Sequence, residues 1–391
     1  MQYTRNNTRV TATLPLLVLA CVTVALSALS LRGATTLLWL WLIWAGALVV
    51  GAFFVKGEWA RAVFLNLGIV AAILAAAEGY FWHREPLPAV VSPGYFVEDE
   101  VLGTVPAKNF QAHATKKVGN HVYYDVTYSI GADGLRVAPS WQTADLAGTV
   151  LFFGDSFMYG EGLQDTETLP YQVGAQSGGR YRTLNFGFHG YGPNQMLAEL
   201  EHGIVQRIAT TNPQYAIDVA IPAQVWRVAG KVPYGQHSPR YVLEPDGSVV
   251  RAGDFEGQHS ADRASSFLVR QGHKSAIYRR FVGPYPRISG DDLALYFAVI
   301  LRSKNLLENE YPGLHFHVIL WSEMPQLGQP VYEELLAGFT RLGIQVHLAS
   351  DILPDYKKDP TRYYLNPVDR HPNALANRIM AQYVLSKILT H

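Results

Sequence analysis

Three long apolar segments fill most of the first 85 residues. After residue 148 the pattern changes to short apolar runs alternating with amphipathic stretches. Thr11–Leu31, Gly33–Val55 and Ala62–Trp82 carry few or no charges, and each reaches the ~20 residues that a helix needs to cross a bilayer core. Ala25-Leu26-Ser27-Ala28 in the first would suit signal-peptide cleavage. Two further apolar segments follow at once, so the pattern predicts a membrane anchor of three helices, at about 11–31, 33–55 and 62–82, within residues 1–85. Asn66 and Glu78 interrupt the third. Glu78 lies near its end, where a snorkelling rim position is expected over an intramembrane role. Arg5 and Arg9 precede the first span, Lys56 and Arg61 separate the second from the third, and only Arg32 occupies the first turn. The positive-inside rule then places the amino terminus in the cytoplasm, and an odd number of spans exports the rest of the chain. The expected location is the cell inner (cytoplasmic) membrane, with the large domain on the periplasmic or extracellular side.

Residues 86–147 read as a connector with a β-extension. Pro86, Pro88 and Pro93 stop the third helix, His121–Ile130 alternates like a strand, and Gly131-Ala-Asp-Gly134 closes it with turn chemistry. Arg136 beyond it reads as a surface charge ahead of a ligand residue. From Gly148 to His391 the strand candidates are Val150–Phe153, Arg182–Phe186, Tyr215–Ile221, Leu314–Trp321 and Ile344–Leu348. Between them lie helical candidates Thr166–Gln176, Pro193–Ile208, Asp291–Glu310, Val331–Leu342 and Asn373–Leu389. This alternation predicts an α/β domain with a mostly parallel five-stranded sheet and helices on both faces. An insertion at about 228–288 interrupts it. That insertion holds a hairpin signature, Arg240–Arg251, turning at Pro245-Asp-Gly-Ser248. It is also dotted with Tyr234, His237, Arg240, Arg270, His273, Tyr278, Arg279, Arg280 and Tyr285, which fit a carbohydrate or anionic polymer as well as they fit an ordinary surface.

Composition removes some possibilities. With 32 basic and 32 acidic residues the formal net charge is zero, which argues against a nucleic-acid binder that relies on broad positive charge. Cys21 is the single cysteine, so no intrachain disulfide can form and a cysteine-based metal site is disfavoured. His315 and His317 share a strand face without a third ligand nearby in sequence, so structural histidines are favoured over a metal pair. No metal or organic cofactor is expected. The expected partners are the lipid bilayer and an acyl-ester substrate, with no nucleic acid and with protein partners open.

The chemistry centres on Gly154-Asp155-Ser156 at the end of the first strand, where open α/β sheets place their ligands. Alone, the tripeptide could equally be a helix entry with Asp155 or Ser156 as its N-cap. A serine nucleophile needs a base, and that base needs an orienting group. Asp369 and His371, two residues apart before the terminal helix, could supply both. With these two blocks the chain resembles the SGNH (GDSL-type) hydrolase family over roughly residues 148–390. The resemblance implies a three-layer α/β/α sandwich and a Ser156-His371-Asp369 triad. It also implies an oxyanion hole from the Ser156 N–H and the N–H of Gly190, within Asn185-Phe-Gly-Phe-His-Gly190. His189 beside it reads as a satisfied loop histidine. The third block departs from the family's Gly-x-Asn-Asp: Ala223 stands at the asparagine position, and Gln224 could reach in as substitute donor, as could Asn194 or Gln195. Asp155, Asn194, Trp226 and Arg227 are the candidate substrate-binding residues. Trp321-Ser-Glu323 ends the fourth strand at the same sheet edge. The expected function is a membrane-anchored extracytoplasmic serine esterase hydrolysing acyl esters, O-acetyl groups on an envelope polysaccharide foremost. Two alternatives stay open: an O-acetyltransferase using the same triad, and a non-catalytic polysaccharide-binding or assembly protein on a degenerate scaffold.

Overall fold

The structure, a computed structural model, describes residues 7–31, 36–85, 89–118, 121–140, 146–232, 234–256, 272–281, 287–321, 331–367 and 369–390. The chain separates into two units, one of Met1–Glu85 with Ala261–Pro284 and one of Pro86–Ser260 with Tyr285–His391.

The three apolar segments of the first unit are the helices α1 (Asn7–Leu31), α2 (Leu38–Phe54) and α3 (Glu58–Arg84). Of these, α3 is long and apolar enough to cross a membrane, whereas α2 and the apolar stretch Leu16–Leu31 of α1 are shorter. Leu17, Val24, Trp39, Phe53 and Ile73 point outward on all three helices. Glu78 is not the rim residue that its position suggested. It is buried, and its carboxylate accepts from Thr36 Oγ1 (2.8 Å), the Leu37 N–H (3.1 Å), Ser275 Oγ (2.9 Å) and the Ala276 N–H (2.7 Å). The reason is local: α2 and the short helix Ala276–Phe281 both begin beside it. A helix start leaves N–H groups with no partner of their own, which favours a carboxylate there.

The second unit opens with antiparallel strands β1 (Val90–Val91), β2 (Phe96–Asp99), β3 (Gly103–Pro106), β4 (Phe110–Val118) and β5 (His121–Ile130). They form a β1-β4-β5 sheet and a β2-β3 hairpin. The main sheet consists of β6 (Gly148–Phe153), β7 (Tyr181–Asn185), β8 (Pro213–Ala220), β11 (His315–Leu320) and β12 (Gln345–Leu348). Its strands are all parallel in the order β12-β11-β8-β6-β7. Strands β9 (Pro239–Leu243) and β10 (Val249–Asp254) pair as the expected hairpin.

Every residue of β6 is buried, which explains why it reads as a continuous apolar run rather than an alternating one. Leu151 and Phe153 join Met196, Val299 and Ile300 in the core on one face. Val150 and Phe152 join Leu169, Val173 and Met380 on the other. Among the helices, α4 (Ser156–Tyr159) follows β6, α5 (Leu169–Gln176) precedes β7, and α6 (Pro193–Glu201) and α7 (Ile204–Ile208) lead to β8, which α8 (Ala223–Val228) follows. The single helix expected over Pro193–Ile208 is therefore two, broken where Gly203 adopts a left-handed φ of 66°. From β6 the chain steps to β7 on one side and then to β8 on the other. The reversal leaves a crevice at the carboxyl ends of β6 and β8, the usual ligand position in such sheets.

Candidate active site

Ser156 sits at that crevice. Gly154 turns the chain out of β6 with φ 141°, and a Cβ there would stand 3.1 Å from the Val219 carbonyl. Asp155 caps the single turn of α4 by accepting the Phe157 N–H at 2.9 Å. The helix-entry reading of Gly-Asp-Ser and the nucleophile reading thus coexist: Asp155 caps, and Ser156 is presented. Gly160 ends the turn in a left-handed conformation.

Ser156 Oγ lies 2.8 Å from His371 Nε2, and His371 Nδ1 lies 2.5 Å from Asp369 Oδ1. Because an ionised Asp369 can only accept, Nδ1 carries the proton and Nε2 is left to accept from Ser156. The loop that carries the pair is fixed by Asn373, which caps the helix Ala374–Tyr383 through the Ala376 N–H (3.0 Å). Its amide donates back to the carbonyls of Arg362 (2.8 Å) and Tyr364 (3.0 Å). Lys116, from β4, donates to Asp369 Oδ2 at 2.6 Å. Burial pushes Asp369 up, but the His371 hydrogen bond and the charges of His371 and Lys116 outweigh it and hold the carboxyl below the usual range. For His371, burial favours the neutral ring, yet the charge of Glu161 and the bond to Asp369 leave it raised overall.

Glu161, within the loop after α4, was not singled out from sequence. Its Oε2 stands 3.8 Å from His371 Nε2 and accepts from His189 Nδ1 at 2.8 Å. Burial alone would raise its pKa, but the His371 charge and the His189 bond bring it down to about 2. His189 is only half satisfied, since its buried Nε2 has no partner among the described residues. Glu161, Asp369 and His371 bring three ligand atoms within 4.8 Å and could in principle hold a cation. Asp369 Oδ1 and both ring nitrogens of His371 are already engaged in the Ser156 chain.

Arg136 is a buried support rather than a surface charge. It donates to the carbonyls of Tyr159 (2.9 Å), Gly160 (2.7 Å) and Leu163 (2.6 Å) and to Asp165 (2.9 Å). Its guanidinium lies against the rings of Tyr128 and Tyr159. The β-extension thus reaches the site twice, through Lys116 and through Arg136. No spacing rule links either residue to Ser156, which is why sequence reasoning missed both roles.

The third block does not do what the sequence suggested. Gln224 is fully buried, with its Nε2 on the Val219 carbonyl at 2.8 Å, so its donor serves the core at the end of β8 and not the crevice. A glutamine at the second position of α8 lies over the carbonyls of the preceding turn, and burial there forces it to satisfy them. Trp226 is likewise a core side chain and lines no substrate surface. Asn194 donates to the Pro239 carbonyl at 2.9 Å, inside the protein. Gln195 accepts the Gly192 N–H at 2.9 Å.

Arg227 does stay at the site, donating through Nη1 to Asp155 Oδ2 (2.5 Å) and to the Tyr191 carbonyl (2.7 Å), with Tyr234 Oη at 3.3 Å from Nε. Gly190 has φ 72°. The backbone N–H groups of Ser156 and Gly190 donate to no group among the described residues. Behind Asp155, burial and then the Asp155 charge push Asp218 up to about 7. His317 Nδ1 faces His347 Nε2 at 3.1 Å, and His347 Nδ1 faces Tyr383 Oη at 3.0 Å. Trp321 packs edge-on against Phe157, whose ring lies beside His371. Ser322, Glu323, Arg270 and Tyr285 lie outside the described residues.

No family model and no curated protein matches the chain. Among solved structures it is similar to a member of the lipolytic G-D-S-L family from Veillonella parvula DSM 2008, with 13% identity over 62% of this chain and 99% of that one and a TM-score of 0.34. It is also similar to a carbohydrate acetylesterase family member from Sinorhizobium meliloti (10% identity, 62% and 98% covered, TM-score 0.33). A third is an acetyl xylan esterase from the rumen bacterium Butyrivibrio proteoclasticus (12%, 63% and 65%, TM-score 0.33). TM-scores this low decide nothing about this chain, and the functional reading rests on the geometry around Ser156.

Proposed function

We propose that this chain is a membrane-anchored serine esterase that removes O-acetyl groups from an envelope polysaccharide outside the cytoplasm. The observation that carries the reaction type is the unbroken hydrogen-bonded line from Ser156 Oγ through His371 to Asp369, at 2.8 and 2.5 Å. Ser156 attacks the ester carbonyl as His371 Nε2 takes its proton, and Asp369 stabilises the imidazolium. The tetrahedral oxyanion is met by the N–H groups of Ser156 and Gly190. His371 returns the proton to the departing sugar hydroxyl. Water, deprotonated by the same nitrogen, then releases acetate and restores Ser156. Outward-facing apolar side chains on α1, α2 and α3 support three membrane spans, and the basic residues flanking those spans support export of the large unit.

The test uses the full chain in detergent with 4-nitrophenyl acetate. Wild type turns over and is labelled by a fluorophosphonate, and Ser156→Ala does neither. Wild type without turnover or label would overturn the esterase. Location is read separately. A cysteine placed at the exposed Lys357, in a Cys21→Ser background, should react with a membrane-impermeant maleimide in intact spheroplasts, and failure to react would place the large unit inside.

A further inference from the structure

A cavity of about 460 Å³ lies between the β2-β3 hairpin and the α6-α7 helices, behind α4. Its size is typical of small-molecule sites, ~300–1,000 Å³. Neither Ser156, Asp369 nor His371 lines it, although Arg136 and Tyr159 do. Its floor holds Glu199 of α6, which is 4% exposed. The Glu199 carboxyl has no hydrogen-bond or ion-pair partner among the described residues. Burial raises its pKa well above the usual carboxylate range. Buried polar groups almost always find partners, and a bare carboxyl that also lines a cavity is a group whose partner a bound molecule can supply.

The surroundings narrow the class of that something. Phe186, Phe188, Tyr191, Leu102 and Ile204 form apolar and aromatic walls, and exposed Lys108 and Arg207 stand at the rim. Asp99 and Asp133 line the same cavity, so its charged residues carry both signs and select neither a cation nor an anion, and a carboxylate or phosphate at the floor would face an acid that gives only one proton. A neutral ring bearing adjacent hydroxyls fits both regions. A protonated carboxyl donates to one hydroxyl and accepts from the next, while the apolar face of the ring packs against the aromatic walls. We infer that this cavity is a second carbohydrate site, separate from the triad, which takes one pyranose residue with its hydroxyls on Glu199. The choice of sugar as ligand rests on the polysaccharide reading above.

The experiment uses full-length Ser156→Ala in detergent, with methyl β-glucoside, methyl β-glucuronide and N-acetylglucosamine as probes followed by saturation-transfer NMR. At least one should bind below about 50 mM. Adding Glu199→Leu should weaken it about tenfold or more, while Glu199→Gln, which still donates and accepts, should keep it within about threefold. Glu199→Leu replaces an unpaired acid by an apolar group of similar size, so it should fold with an unchanged or higher Tm. In the Ser156 background it should hydrolyse 4-nitrophenyl acetate within about twofold of wild type. No binding by any probe, or binding that Glu199→Leu leaves intact, would overturn the site. Failure of the esterase would appear instead as absent aryl acetate turnover in wild type, with sugar binding unaffected.

Discussion

Replacing Arg136 by alanine should disturb the placement of Ser156, although Arg136 does not touch that residue. The guanidinium satisfies three carbonyls of the turn that carries Ser156, those of Tyr159, Gly160 and Leu163, and pairs with Asp165. A buried acceptor left without its donor costs about 1–3 kcal/mol. Three such groups would cost roughly 3–9 kcal/mol if nothing relaxed. Water entering the vacated space recovers part of this, so about 4 kcal/mol is the expected loss. For a domain of this size that lowers Tm by roughly 8–16 °C, at about 2–4 °C per kcal/mol. Catalysis should fall as well, because misplacing a reacting group by about 1 Å costs on the order of 100-fold. Arg136→Lys keeps the charge but not the fork, so it should fall between. Differential scanning fluorimetry and kcat/KM on 4-nitrophenyl acetate, with the full chain in detergent, read both effects. If Arg136→Ala kept its Tm within about 2 °C and its kcat/KM within about twofold, the guanidinium would not be holding the turn.

Glu161→Gln removes the carboxylate 3.8 Å from His371 Nε2, whose charge helps to raise the His371 pKa against the opposing effect of burial. Only the neutral ring accepts the Ser156 proton, so activity appears as pH rises through that pKa. The variant's rising limb of kcat/KM should therefore shift to lower pH, and a limb that stays or moves up refutes the charge effect. Lys116→Met leaves Asp369 with one partner fewer at 3% side-chain exposure, and breaking such a buried pair costs about 3–5 kcal/mol. Because the folded pKa of Asp369 is depressed, its contribution is present above the unfolded value of ~3.9 and fades as pH falls through the folded one. The Tm gap between wild type and Lys116→Met should accordingly be wide at neutral pH and narrow in acid. A gap that does not depend on pH would point to lost packing instead. Arg227→Met should lower kcat by about 100-fold with a smaller change in KM, the signature of an interaction made in the transition state. A change confined to KM would make Arg227 a substrate contact only.

The parts legible in the sequence share one property: their signal is local. β6 announced itself as an apolar run between glycines because both of its faces are buried. The Arg240–Arg251 hairpin could be read from its Pro-Asp-Gly-Ser turn. Asp369 and His371 are two residues apart and needed only one loop to bring them together. What the sequence hid depends on contacts between distant segments. Lys116 meets Asp369 across 253 positions, and Glu78 meets Ala276 across 198. Gln224 was misjudged for a related reason. An amide one residue from a motif position looks available in one dimension. Where its Nε2 points is decided by the buried Val219 carbonyl, which must be satisfied before any substrate arrives.

That misjudgement changes how the oxyanion of the proposed reaction would be held. With Gln224 turned into the core and Ala223 at the position where the SGNH resemblance puts an asparagine, the proposed mechanism has two backbone donors left, the N–H groups of Ser156 and Gly190, on loops after β6 and β7. Two donors stabilise a developing charge only if their separation is fixed beforehand, since reorganising them during reaction would forfeit the gain. Arg227 is placed to do this. Its Nη1 joins the carboxylate of Asp155, the residue before Ser156, to the carbonyl of Tyr191, the residue after Gly190. The chain therefore has, next to the position where the SGNH pattern puts a third donor, a cation that ties the two donor loops together. A side-chain donor contributes one hydrogen bond to the oxyanion. A fixed spacing of the other two contributes to both of theirs, and under the proposed esterase reading that would let this third block depart from the pattern and still serve the reaction.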